Sequence, residues 1–394
     1  MSNETLSKHL LIPNLIFEKY PTTLRCRSFV CKPIDLIIFC PNCNSKKFHV
    51  HQNSKRKVKD IIQTHESASS LLHINITRYR CVKCKKTFTP PIPGIDPRAK
   101  FTERFRRKIL WAADHFADLK KVSTHFKIGN ASIYHHYYRA LNLKLKNSLH
   151  KPWPKQIGID EHAFCKNKKL GIRNFVTLVV DHTKKRPFEL LPSRDKKGLL
   201  LMTKHIAGAS SVELVTMDLS NTYKSYIKEI FPQAMIVADH FHVVRLLHPA
   251  INKHRYEITD KNRKHPLRKL LLKKRASIDW HDRIEIERWL KSYPKMRALY
   301  NAKEKLHTLY QCRGINKARE SFKNLIKSLE GTIYSELVTF KNTLLKWENE
   351  ILNYFIRRVT NARTEGFNNV AKSIIKRSYG LRSFPNYRAR VLNV

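Results

Sequence analysis

Two Cys-x-x-Cys pairs, Cys40-Pro41-Asn42-Cys43 and Cys81-Val82-Lys83-Cys84, and a small set of carboxylates are the residues here whose types and spacing could do chemistry. Paired thiols on two tight knuckles supply four soft ligands at the corners of a tetrahedron, the donor set of a closed structural Zn²⁺ site. The 37 residues between the pairs (44–80) exceed the usual spacing of about 15–20. Residues 44–72 are therefore expected to loop out of a zinc ribbon. His49 and His51 lie too close to Cys43 for a finger of the Cys₂His₂ type, and Cys26 with Cys31 has a weaker x₄ spacing. Both are read as ordinary surface and core residues. Lys46, Lys47, Lys55, Arg56, Lys57, Lys83, Lys85 and Lys86 flank the knuckles and suit phosphate contact.

The carboxylates sit at the ends of apolar runs. Asp160 closes Ile157-Gly158-Ile159, Asp218 closes Val215-Thr216-Met217, and Asp239 closes Ile236-Val237-Ala238. Acids at the ends of adjacent strands would converge on one sheet edge, where they must be solvated, paired or bound to cations. A pair of Mg²⁺ or Mn²⁺ ions about 4 Å apart, held by such oxygens, suits in-line phosphoryl displacement. Glu365, in the polar segment Asn361-Ala362-Arg363-Thr364-Glu365-Gly366-Phe367-Asn368-Asn369, opens a late helix and could complete the cage. Each acid taken singly has a competing reading as a turn or helix cap. His242 and Arg245, in His-x-x-Arg after Asp239, are read as orienting Asp239 or meeting a phosphate.

Elements must position these groups in a chain of 394 residues with 77 Lys plus Arg against 31 Asp plus Glu, a formal charge of +46. A field this positive predicts a polyanionic partner, with nucleic acid foremost. With 42% apolar residues the chain can bury cores, which excludes collagen-like and wholly disordered classes. Eight cysteines are too few for a secreted disulfide scaffold. No apolar stretch reaches membrane-spanning length and no signal-peptide pattern opens the sequence, so no membrane association is expected and the protein is read as cytoplasmic and nucleoid-associated.

Residues 1–24 read as a short helical or irregular leader, and residues 1–94 as a zinc-binding domain closed by Pro90-Pro91-Ile92-Pro93-Gly94. Residues 95–150 read as helical. Phe105, Ile109, Ala112 or Ala113 and Phe116 recur at helical spacing, and 119–141 have the layout of a helix-turn-helix turning at Ile128-Gly129-Asn130. In that reading Asn130, Ser132, His135 and His136 face base edges, while Lys127 and Arg139 meet phosphate. Residues 151–249 give three strands followed by helix, strand, helix, strand and helix, the order of an RNase H-like α/β sheet with three antiparallel strands and two parallel ones. Residues 250–358 read as an all-helical insertion, and 359–394 as the closing helix of the same domain, with Ala371, Ile374 and Ile375 inward. Arg363, Lys372, Lys376 and Arg377 on that helix could hold strands or form a solvated basic face.

The blocks IGIDEHAF, VTLVVDHTKKRPFELLPSRDKKGL, VTMDLSNTYKSYIKEIFPQAMIVADHFHVVRLLHPAINKHR and TEGFNNVAKSIIKRSYGLRSFPNYRARVL resemble the DDE transposases of bacterial insertion sequences, of the ISL-three type. The resemblance implies a Cys₄ finger and a helix-turn-helix ahead of an RNase H-like domain, and Asp160, Asp218 and Glu365 as the DDE triad with Asp239 beside it. It also implies metal-dependent cleavage and strand transfer at terminal inverted repeats and in target DNA, and an assembly of more than one copy. The competing classes are a non-catalytic DNA-binding regulator and an RNA-processing nuclease.

Overall fold

The computed structural model describes residues 15–19, 28–34, 38–61, 70–116, 118–146, 151–166, 173–259, 265–378 and 381–394. The chain forms two compact units, Met1–Lys144 with Arg377–Tyr379, and Leu145–Lys376 with Gly380–Val394. Among the described residues no helix is long and apolar enough to cross a membrane.

The first unit begins with strands β1 (Leu15–Lys19), β2 (Ser28–Pro33), β3 (Phe48–Asp60), β4 (Ser70–Cys81) and β5 (Thr87–Phe88), in the order β1-β2-β4-β3 with β5 beside β4. Two expectations are corrected here. Residues 15–19 of the supposed leader form a strand paired with β2; the rest of 1–24, like Cys26, lies outside the described residues. Residues 44–72 do not simply loop out: 48–60 form β3, which pairs with β4 from Phe48 opposite Cys81 to Asp60 opposite Ser70, so the ribbon is carried on a long hairpin whose ladder satisfies the backbone. Val58, Leu72 and Ile74 pack with Leu15, Cys31, Ile92 and Ile95 at the far end.

Three helices follow in this unit: α1 (Glu103–His115), α2 (Leu119–Phe126) and α3 (Asn130–Lys146). Thr102 caps α1 by accepting from the Phe105 N–H, and the wholly buried Asp60 at the end of β3 accepts from Thr102 and Arg104. That carboxylate fastens the helices to the ribbon's sheet. Phe105, Ile109, Ala112, Val122, Phe126, Ile133, Tyr137 and Leu141 are buried, and Lys127 ends α2 in the left-handed region at φ 49°.

The second unit is built on β6 (Gln156–Lys166), β7 (Arg173–Asp181), β8 (Arg186–Leu191), β9 (Leu214–Met217) and β10 (Met235–Ala238), ordered β10-β9-β6-β7-β8. β6, β7 and β8 are antiparallel, whereas β9 and β10 run parallel to β6. Two helices make the crossovers, α4 (Lys196–Thr203) and α5 (Asn221–Ile230). After β10 come α6 (His240–Val244), α7 (His248–Ile258), α8 (Leu267–Leu270), α9 (Trp280–Lys291), α10 (Pro294–Gln311), α11 (Ile315–Lys327), α12 (Ser335–Lys346) and α13 (Glu348–Arg357). The chain closes with α14 (Ala362–Arg377) and α15 (Phe384–Val391).

Strand alternation assigns the two sheet faces. Ile157, Ile159, Val215 and Met217 pack into one large core that runs on into α10, α11 and α13. On the other face Phe164, Val176, Leu178 and Val180 pack with Ala371, Tyr387 and Val391 of α14 and α15. The alternation therefore aims Gly158, Asp160, His162 and Phe164 of β6 at α14 and α15. Helix α15 was not among the sequence expectations, although Ser383 caps it and a proline occupies its first turn.

Candidate active site

The register of the parallel strands brings the three aspartates together. Met217 pairs with Ile159 on one side and Ala238 on the other, so the next residues, Asp160, Asp218 and Asp239, form one row across β6, β9 and β10. Adjacent strands lie about 4.8 Å apart and in-row residues share a face, so three carboxylates meet at the carboxyl edge of the sheet. Asp160 lies inside β6, which continues along β7 to Lys166, and is first beyond the portion paired with β9.

Helix α14 is seated against this edge by close approach to Gly158. A Cβ there would stand 2.0 Å from Thr364 Oγ1 and 2.7 Å from both Asn361 Oδ1 and His182 Nε2. Only glycine admits the helix at that distance. Asn361 then donates its backbone N–H to Asp239 Oδ1 at 3.3 Å and accepts from the Thr216 hydroxyl at 2.8 Å, while the Arg363 guanidinium donates to the His182 carbonyl. One and a half turns on, Asn368 donates from Nδ2 to Asp160 Oδ2. Glu365 is half-buried in the first turn of α14, three residues before Asn368. Lys372 and Lys376 further along the helix are exposed.

The electrostatics of the edge are those of crowded anions. Burial, then the Asp218 charge, raises Asp160 from 3.8 to about 6, against the hydrogen bonds from Glu161 N–H and Asn368. His242 answers the other two acids. Its Nδ1 lies 2.9 Å from Asp218 Oδ1 and 2.8 Å from Asp239 Oδ2, and these carboxylates push the imidazole up to about 10, so it is cationic at neutral pH. Nδ1 carries a single hydrogen, directed to Asp239. Asp218 Oδ1 is left buried without a hydrogen bond. Asp218, Asp239 and His242 present ligand atoms all within 4.8 Å of one another, a group that could hold a cation if the imidazole gave up its proton to it; Asp160 and Glu365 lie outside that tight group.

The four cysteines also converge. Cys40 and Cys84 stand 3.5 Å apart at sulfur, as do Cys43 and Cys81, and all four sulfurs lie within 4.8 Å. Each knuckle is closed by the N–H of a left-handed residue, Asn44 to Cys40 O and Lys85 to Cys81 O. The backbone N–H of Cys84 leads the contributions that hold the Cys81 thiol down at about 6, and that of Lys86 lowers Cys84. Such thiols are ready to bind metal as thiolates. His49 and His51 are exposed on β3 and are not in the cluster.

Of the residues expected to meet DNA, Lys127 at the end of α2 and Asn130, His135 and Arg139 on α3 are exposed, and Ser132 is half-buried. His136 is half-buried with its ring 5.3 Å from Phe101, an edge-to-face contact that commits it partly to packing. Tyr134, exposed on the same helix, was not singled out.

Sequence reading also missed His162, Thr216, Asn361, Asn368 and Tyr387 around the aspartates. The two asparagines carried a signal, since amide side chains at buried helical positions are rare without partners.

A family model described as transposase, of the DDE ISL3 type, matches residues 157–391. The transposase of insertion sequence element IS1001 from Bordetella parapertussis is 23% identical over 372 residues, covering 91% of this chain and 89% of that protein. The matched span holds the aspartate row and the helix that carries Glu365, and the chain belongs to the ISL3-type family of DDE transposases.

Proposed function

We propose that this transposase binds the terminal inverted repeats of its own element, then cuts and joins DNA with Asp160, Asp218 and Glu365 as the metal-binding triad and Asp239 as a further ligand beside them. The observation that carries the reading is the in-register aspartate row, with a buried Asp218 oxygen held only by the His242 ion pair, facing the helix that supplies Glu365. Hard carboxylate oxygens fit Mg²⁺ or Mn²⁺. When bound, two such ions would polarise the attacking oxygen and stabilise the leaving one. The chain's own part is to hold the acids in place. The sheet register fixes the aspartates, Gly158 lets α14 approach, and Asn368 and Glu161 N–H orient Asp160. The two displacements are alike: water attacks the phosphodiester at the element end to free a 3′ hydroxyl, and that hydroxyl attacks target DNA, with no covalent protein intermediate.

The strand order β8-β7-β6-β9-β10, antiparallel then parallel, supports an RNase H-like catalytic domain made of 151–249 and 359–394, interrupted by a helical insertion at 250–358. The Cys40, Cys43, Cys81, Cys84 tetrad supports structural Zn²⁺ in an N-terminal domain of residues 1–94. Helices α2 and α3 support a helix-turn-helix within 95–150, with Lys127, Asn130, Ser132, His135, His136 and Arg139 toward double-stranded DNA. Joining two ends calls for an assembly of more than one copy acting on the nucleoid.

Incubation of the full chain with Mg²⁺ and a labelled element end tests this reading. Asp160→Ala, Asp218→Ala and Glu365→Ala should each abolish cleavage and retain end binding. Intact cleavage in all three would leave a DNA-docking regulator, and preference for RNA-containing duplexes would move the protein to RNA processing.

A further inference from the structure

We propose that Tyr387, His162 and Asn368 form a hydrogen-bonded chain that sets the orientation of the Asp160 carboxylate, and with it the affinity of the sheet edge for a divalent cation. The proposal rests on Asp160 being a metal ligand. All three side chains are buried, at 0%, 2% and 1% exposure, and they come from α15, β6 and α14. The hydrogen-bond polarity admits one arrangement. An ionised carboxylate only accepts, so Asn368 turns its amide nitrogen to Asp160 Oδ2. The amide oxygen of Asn368 then faces His162 Nδ1 at 2.8 Å and must accept, which places the imidazole hydrogen on Nδ1. His162 Nε2 is left bare and accepts from the Tyr387 hydroxyl at 2.5 Å. The Tyr387 ring is itself held, stacked on Phe164 with centroids 4.6 Å apart and planes 13° from parallel.

The other Asp160 oxygen accepts from the Glu161 N–H at 2.7 Å. With one bond on each oxygen the carboxylate cannot rotate freely, and its remaining lone pairs stay directed along the sheet edge. Removing the Tyr387 hydroxyl leaves His162 Nε2 buried without a donor and the imidazole unheld on that side, so the ring can tilt, its bond to the Asn368 oxygen loosens, and the amide no longer holds Asp160 at a fixed angle. The effect reaches the carboxylate through two intermediaries, so Tyr387, His162 and Asn368 are positioning residues.

Mn²⁺ titration of the full-length, zinc-loaded protein, followed by the electron paramagnetic resonance of free Mn²⁺, tests the proposal without relying on turnover. Tyr387→Phe should weaken Mn²⁺ binding on the order of tenfold, the scale of outer-shell substitutions at metal sites. Asn368→Ala should weaken it at least as much, and the double variant no further than Asn368→Ala alone. Phe164→Leu, which loosens the same packing and leaves the chain of bonds intact, should bind Mn²⁺ as the unmutated protein does. Wild-type affinity in Tyr387→Phe, an additive double variant, or equal weakening in Phe164→Leu would overturn the chain. Asp160→Asn keeps the two levels apart: if it binds Mn²⁺ normally, or if the unmutated protein binds none, the metal-site reading fails first and takes the proposal with it.

Discussion

Replacing Asp160 by asparagine should stabilise the protein stripped of Mg²⁺ and abolish its response to Mg²⁺. Holding the half-buried carboxyl at about 6 where its ordinary value is 3.8 corresponds to about 3 kcal/mol against the ionised form. Because the folded value lies above the unfolded one, ionisation opposes folding. The penalty is complete above pH 6 and is relieved as the pH falls from 6 toward 4. Asparagine keeps the shape and can accept from Asn368 or the Glu161 N–H but not fully from both, which costs about 1 kcal/mol. The net gain is about 2 kcal/mol at pH 7.5, or roughly 4–8 °C in Tm for a unit of this size. Thermal melts with and without Mg²⁺ at pH 7.5 and pH 5 read it out. Asp160→Asn should melt higher without Mg²⁺ at pH 7.5, the difference should shrink at pH 5, and Mg²⁺ should raise only the unmutated protein. A variant that melts no higher than its parent at pH 7.5, or that gains equally from Mg²⁺, would refute the account of a crowded, cation-seeking edge.

Other consequences are equally open to measurement. Gly158→Ala places a methyl group 2.0 Å from Thr364 Oγ1, so α14 must move. A cost of about 1–3 kcal/mol is expected from overpacking, with cleavage down on the order of 100-fold from a displacement near 1 Å and end binding preserved; unchanged cleavage would show that α14 does not need that seat. Cys81→Ser should strip the ribbon of a metal whose binding is worth roughly 10–16 kcal/mol of folding in small zinc modules, and elemental analysis showing undiminished zinc would contradict the tetrad. Lys127→Ala and Arg139→Ala should each lower the slope of log K against log salt by about 1 for an element end, read by anisotropy from 50 to 200 mM salt; an unaltered slope removes that residue from the phosphate interface.

How much of this was legible in the sequence depended on how local the signal was. The aspartate row could be read because three apolar runs each ended in an acid, in an element order that sets β9 and β10 parallel to β6. The tetrad could be read because each knuckle is self-contained within four residues. Strand β3 could not. Its polar stretch Gln52-Asn53-Ser54-Lys55-Arg56-Lys57 lacks the alternation of a half-buried strand, and pairing with β4 holds it extended. Helix α15 was signalled by Ser383 and Pro385, and its place against Phe164 follows from the sheet face it covers. The His162 partners lie 206 and 225 residues away, beyond any local pattern. Gly158 was visible only as a glycine within a strand, a mark of close approach whose partner had to be found in space.

The order of elements along the chain decides which parts of the candidate site exist at each stage of synthesis. Strands β6 to β10 are made before residues 362–391, which close the face bearing Gly158, Asp160 and Val176. A nascent chain can therefore hold its three aspartates and still lack the glutamate, the amide that steadies Asp160 and the cover that keeps water from that face. A chain interrupted before residue 362 would therefore carry the aspartate row without the residues that the proposed reading needs to cut DNA.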